Sequence, residues 1–213
     1  MRIGRVRVSG GALLALAAVY FFDSLEFALL VLAAALAHEL GHFLACRALG
    51  LELEVFEIDL WGLNLRLGGV LPYRADAAAA LAGPLASLLF AFAAALFGRH
   101  GGFQNGYVLA GVSFLFFFFN ILPIYPLDGG RALYALLALR SGPETADKVC
   151  TVVGCALILI LLCAGAYVFI RTRVNFSLLL VGGWLLAGYC QKARTGIQSM
   201  GKKAIGSVPW IGN

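Results

Sequence analysis

Apolar residues in this chain come in long unbroken runs rather than the short alternations of a water-soluble fold. Six stretches stand out, at residues 9–22, 25–49, 76–98, 107–124, 149–170 and 175–191, where a helix needs about 20 residues to cross a bilayer. Each is predicted to be a membrane helix. The first is short and follows Arg2, Arg5 and Arg7, the layout of a signal peptide. Yet Tyr20, Phe21 and Phe22 lead straight into Asp23 with no small-residue cleavage site, so a retained first span is expected. Between the second and third stretches the period changes. Leu51, Leu53 and Val55 alternate with Glu52 and Glu54; after a slip at Phe56, Trp61, Leu63, Leu65 and Leu67 alternate with Gly62, Asn64 and Arg66. Period two predicts a short amphipathic hairpin or sheet, with a surface-lying connector as the alternative. Strand backbone cannot face lipid, so this segment is expected at the cytoplasmic boundary.

Composition sharpens the class. The 213 residues are 62% hydrophobic and 13% charged, with a mean hydropathy of +0.91, against about 45–50% apolar and 25% charged in a soluble domain. There is too little polar surface to wrap a soluble globule. The expected fold class is an all-α polytopic membrane protein. It would have about six transmembrane helices around a three-helix core, and a small β hairpin or sheet at the cytoplasmic boundary. The net charge of +5 records orientation rather than an anionic partner, and nothing resembles a nucleic-acid module. With the N-terminus inside, segments 1–8, 47–74, 125–148 and 192–213 are cytoplasmic and hold 13 of the 16 basic residues; Arg99, Arg171 and Arg173 remain outside. The positive-inside rule therefore places both termini in the cytoplasm. Cys46, Cys150, Cys155, Cys163 and Cys190 are scattered and read as small core residues rather than a disulfide or zinc framework.

Chemistry enters with His38-Glu39-Leu40-Gly41-His42, inside the second apolar stretch. Charged groups at bilayer depth cost roughly 2.5–3.5 kcal/mol or more, and a bound divalent metal is the simplest compensation. Residues four apart share a helix face, so His38 and His42 can both aim ring nitrogens at one zinc. Glu39 stays close enough to take a proton from an attacking water. The alternative is a polar pair hydrogen-bonded within the bundle. A catalytic zinc normally has a third protein ligand, and Asp128 is the candidate. It ends the run Asn120-Ile121-Leu122-Pro123-Ile124-Tyr125-Pro126-Leu127-Asp128, just before Gly129-Gly130-Arg131. The prolines cannot continue a regular helix, and such a broken end can turn a carboxylate back into the bundle. The competing reading is an N-cap for a helix beginning near Gly130. Depths agree: His38 is 13 residues after Leu25, about 20 Å along a helix, which leaves about 10 Å to the cytoplasmic face of a core about 30 Å thick. The fourth stretch runs inward and brings Asp128 to the same side. His100 reads as solvated in an outward loop.

These residues resemble the site-2 protease family of intramembrane zinc metalloproteases, through HELGH, NILPIYPLDGGR and Ala82-Gly83-Pro84-Leu85-Ala86-Ser87. The resemblance covers about residues 25–131. Small size, flanking spans (9–22, 149–170, 175–191) and the lack of a PDZ-like insertion are similar to the sporulation branch that processes a membrane-associated pro-sigma factor. Many members of that branch also carry a CBS domain; only about 20 residues follow the last span here, so the chain is expected to be one membrane-embedded domain, 1–213. The resemblance implies one Zn2+ on His38, His42 and Asp128, with Glu39 as general base. It implies that Asn120 bonds the substrate carbonyl or developing oxyanion, where the alternative is a hydrogen bond between helices. Gly83-Pro84 is expected to allow close packing and a kink. Implied partners are a membrane-associated protein substrate, the lipid bilayer and possible inhibitory membrane proteins, with oligomeric state open. Two other classes compete: a metal transporter using the same three side chains, and an inactive homologue that binds transmembrane partners.

Overall fold

A computed structural model describes residues 2–3, 6–8, 25–50, 53–59, 62–67, 72–101 and 104–190. The first apolar stretch, 9–22, lies outside the described residues. The second forms α1, Leu25–Ala48. Its faces invert the pattern of a soluble helix. Leu25, Leu29, Leu32, Leu36, Leu40 and Leu44 are exposed, while Ala34, His38, His42 and Cys46 are buried. Large aliphatic side chains outside and small or polar ones inside is what lipid, rather than water, selects.

α2, Tyr73–Gly101, repeats the inversion: it exposes Leu85, Leu89, Phe92 and Phe97 and buries Ala80, Ser87, Ala91 and Ala94. It carries Pro84 in its interior, which removes the amide that would bond the Ala80 carbonyl and loosens the ladder there. Residues 99–101, expected as an outward loop around His100, continue this helix in their backbone. α3, Gln104–Asn120, stops four residues before the fourth apolar stretch does. Pro123 and Pro126 forbid a regular helix beyond it, and the chain turns instead, with Ile124 N–H on the Leu122 carbonyl (2.8 Å) and Leu127 N–H on the Ile124 carbonyl (2.8 Å). α4, Asp128–Ser141, α5, Pro143–Thr172, and a short apolar helix α6, Ser177–Cys190, complete the helical part. Among the described residues, α1, α2 and α5 are long and apolar enough to cross a membrane; α3 and α6 are apolar but shorter.

Close helix approach holds the core together. At Gly41 an added Cβ would sit 2.5 Å from both the Ala82 carbonyl oxygen and Ala86 Cβ, so α1 and α2 touch backbone to backbone, as small residues permit in lipid. Ile124 and Leu127, in the turn before α4, are buried with Ile158 of α5 and Leu185 of α6. The C-terminal helix pair thus seats the turn that leads to Asp128. Cys46 and Cys150 are buried as expected, but Cys155, Cys163 and Cys190 are exposed free thiols on the apolar exterior. A four-stranded sheet of order β1-β2-β3-β4 is formed by Arg2–Ile3, Val6–Val8, Leu53–Asp59 and Gly62–Leu67. β3 and β4 pair antiparallel from Leu53↔Leu67 to Asp59↔Gly62, and β2 runs parallel to β3. The two N-terminal strands are too short to announce themselves in sequence.

Candidate metal centre

One turn of α1 places His38 above His42, both buried. Their rings meet edge to face, centroids 4.8 Å apart. The third party arrives from a distant part of the chain. The helix start at α4 is capped by Leu127 without a side-chain hydrogen bond, so Asp128 does not serve as an N-cap. Its carboxylate turns into the bundle instead. Asp128 Oδ2 is 3.0 Å from His38 Nε2 and 3.1 Å from His42 Nε2, and the two Nε2 atoms are 3.2 Å apart.

Those three atoms form a triangle that can be tested against a metal. Two ligands at 2.0–2.1 Å from a tetrahedral zinc stand about 3.3 Å apart, so sides of 3.0, 3.1 and 3.2 Å match one face of that tetrahedron. The electrostatics point the same way. His42 Nδ1 lies 2.8 Å from the Ala79 carbonyl oxygen, which can only accept. The proton of neutral His42 therefore sits on Nδ1, leaving a lone pair on Nε2 aimed at a carboxylate oxygen. Convergent lone pairs repel unless a cation lies among them. His38, His42 and Asp128 can together hold a metal ion, and two imidazoles with one carboxylate are a donor set suited to Zn2+.

Ser87, Asp76 and Arg131 were given no role of their own from sequence. His38 Nδ1 is 2.9 Å from Ser87 Oγ; with its Nε2 turned to the triangle, the ring N–H on Nδ1 donates to that hydroxyl. Ser87 is fully buried. Its signal was a lone hydroxyl on an apolar helix, four residues after Gly83. Gly83 itself faces the His42 ring, and an added Cβ would collide with it; the expected close packing at Ala82-Gly83-Pro84 thus falls directly on a candidate ligand. Arg131, one turn after Asp128, donates to Asp76 Oδ1 of α2 from Nε at 2.7 Å and Nη2 at 2.5 Å.

Glu39 follows His38 on α1, about 100° further round the helix, and is half-buried. Asn120, the last residue of α3, donates its amide to the Phe116 carbonyl of its own helix at 3.0 Å, rather than to another helix. Phe116 packs at 6.0 Å from the His38 ring. Asn120 lies one turn further along that face of α3.

Residues 99–161 match the family model described as Peptidase family M50. That stretch contains Asn120 and Asp128 and begins beyond the two histidines. The chain is 27% identical over 176 residues to a zinc metalloprotease of Methanocaldococcus jannaschii, covering 78% of this chain and 49% of that protein. It is 37% identical over 135 residues to a protein of Mycobacterium tuberculosis named "Putative zinc metalloprotease Rip3", covering 59% of this chain and 34% of that one. The chain thus spans about half or less of these relatives' length. A solved structure, the site-2 protease from Methanocaldococcus jannaschii, is similar with a TM-score of 0.67 at 22% identity, over 90% of this chain and 92% of that one. The two share a fold.

Proposed function

We propose that this chain is an intramembrane zinc metalloprotease of the site-2 protease family, hydrolysing a peptide bond within or beside a membrane segment of another protein. One observation carries the reading: two imidazole nitrogens and a carboxylate oxygen, 86 and 90 residues apart in sequence, form a buried triangle with sides of 3.0–3.2 Å. The match of residues 99–161 to a peptidase family supports it, as do the names of the relatives.

In this reading His38, His42 and Asp128 hold one Zn2+ per chain. When bound, the ion supplies Lewis acidity to the scissile carbonyl and to the attacking water. Glu39 takes the proton from that water as it attacks the carbonyl carbon. It then delivers the proton to the leaving nitrogen as the carbon–nitrogen bond breaks. Asn120 releases its bond to the Phe116 carbonyl and donates its amide N–H to the carbonyl oxygen, where negative charge develops. The apolar exterior of α1 and α2 keeps bulk water from the site, which strengthens each of these interactions.

A helical substrate shields its carbonyls, so the cleaved segment must be extended. β4 is the outermost strand at its end of the sheet, and a substrate strand adds there by backbone pairing. In this reading the described apolar helices lie across the bilayer with the sheet at the cytoplasmic face; the basic residues support that orientation. The finer assignment, a pro-sigma factor of sporulation as substrate, rests on the likeness to that branch of the family.

Co-expression with membrane-anchored pro-sigma factors and with remnant signal peptides tests the activity. Wild type yields a cleaved product and Glu39→Gln yields none while keeping its zinc. Cleavage that survives Glu39→Gln, or Zn2+ crossing sealed vesicles with no proteolysis of any substrate, overturns the reading.

A further inference from the structure

We propose that α2, which supplies no ligand, is the template that sets the ligand triangle, with Ser87 positioning His38 and Asp76 positioning Asp128. The proposal rests on the metal reading given above. Along one stripe α2 meets two candidate ligands directly, and the helix that carries the third through an ion pair to Arg131. Asp76, Ala79, Gly83 and Ser87 follow one another at intervals of three, four and four residues, which is a single helix face.

Each member of the stripe acts on a different ligand. Ser87, fully buried, takes the His38 Nδ1–H at 2.9 Å. A serine in a membrane helix commonly bonds a carbonyl of its own preceding turn; this one reaches across to α1. The Ala79 carbonyl takes the His42 Nδ1–H at 2.8 Å, and Gly83 leaves the space that the His42 ring fills. Both rings are therefore fixed in the tautomer that turns Nε2 toward Asp128. Asp76 acts through Arg131, whose Nε and Nη2 reach Asp76 Oδ1 at 2.7 and 2.5 Å. Arg131 follows Asp128 by three residues in the first turn of α4, so this pair sets the rotation of α4 and with it the direction of the Asp128 carboxylate.

The partners are held rigidly because α2 lies against α1 at backbone contact, through Gly41 on Ala82 and Ala86. A helix that orients three ligands without coordinating has a defined energetic signature. Partners that orient metal ligands typically change metal affinity by 10–100-fold when removed, while the fold around them survives.

The test measures Zn2+ affinity of the purified full chain in detergent, by competition with a chromophoric chelator, alongside the melting temperature of the zinc-free protein. Ser87→Ala is expected to weaken Zn2+ binding by about 10–100-fold with the zinc-free melting temperature unchanged. Asp76→Asn weakens binding in the same direction, and the exchange Asp76→Arg with Arg131→Asp restores most of it. Binding by Ser87→Ala as tight as wild type overturns the proposal, as does an affinity loss matched by an equal loss of zinc-free stability. Failure of the exchange to recover any affinity removes the Asp76 arm. A wild type that binds Zn2+ with this pattern of variants but cleaves no peptide upholds the template and removes the proteolytic reading. A wild type that binds no Zn2+ removes both.

Discussion

Gly83→Ala is the smallest perturbation that separates the centre from the fold around it. The new methyl would strike His42 Nε2 and lie 2.5 and 2.6 Å from Cε1 and Cδ2, where ordinary carbon contacts are about 3.5–4.0 Å. The ring must retreat by about 1 Å. It cannot do so freely, because Nδ1 is held by the Ala79 carbonyl and Nε2 belongs to the ligand triangle. Ligand distances in a metal site tolerate about ±0.2 Å, so a displacement of that size removes His42 from coordination. Misplacement by about 1 Å costs about 100-fold in rate, and loss of a ligand costs more. For the fold, overpacking costs about 1–3 kcal/mol, offset by about 0.5–1 kcal/mol from replacing a helical glycine. A domain with about 5–15 kcal/mol of stability survives that. Gly111→Ala is the matched control: nothing lies within 4 Å of its added Cβ, so zinc content and cleavage should equal wild type. Elemental analysis of the purified variants, with a cleavage assay and a melting curve, reads all three quantities. A Gly83→Ala protein holding one zinc per chain and cleaving at the wild-type rate would show that the His42 ring does not depend on the space at Gly83.

Two further outcomes follow from the same geometry. Gly41→Ala forces a methyl to 2.5 Å from Ala86 Cβ and the Ala82 carbonyl and should destabilise the α1–α2 contact by about 1–3 kcal/mol in denaturant titrations in detergent, with unchanged stability contradicting backbone-level packing. Asn120→Ala should lower kcat by about 100–1,000-fold while zinc content stays at one per chain; a wild-type kcat would relegate the amide to its bond with the Phe116 carbonyl.

Much of the membrane architecture is legible in the chain because lipid imposes a simple rule. In α1 the leucines at 25, 29, 32, 36, 40 and 44 and the small or polar residues at 34, 38, 42 and 46 occupy opposite faces, and the spacing alone separates them. The pairing of His38 with His42 is equally local. Asp128 is a different case. Its prolines mark the end of α3, but a carboxylate at a helix start serves as cap or ligand with equal ease, and only the tertiary approach of α4 to α1 decides between them. The polar partners of the ligands were not legible at all. Ser87 is 49 residues from His38 and Arg131 is 55 from Asp76, and a single hydroxyl or ion pair across that distance leaves no periodic trace. α2 also outruns its apolar stretch: Arg99, His100 and Gly101 look like loop residues by composition, yet the helix carries on through them.

The claim on which the rest depends is that His38, His42 and Asp128 share one cation, and X-ray absorption at the zinc edge of the purified chain tests it most directly. Shared coordination gives one zinc per chain, with two imidazole scatterers and the remaining nearest neighbours oxygen, at about 2.0–2.1 Å, and loss of the metal in both His38→Ala and Asp128→Ala. Sulfur scattering at about 2.3 Å, or full zinc occupancy in Asp128→Ala, would contradict it.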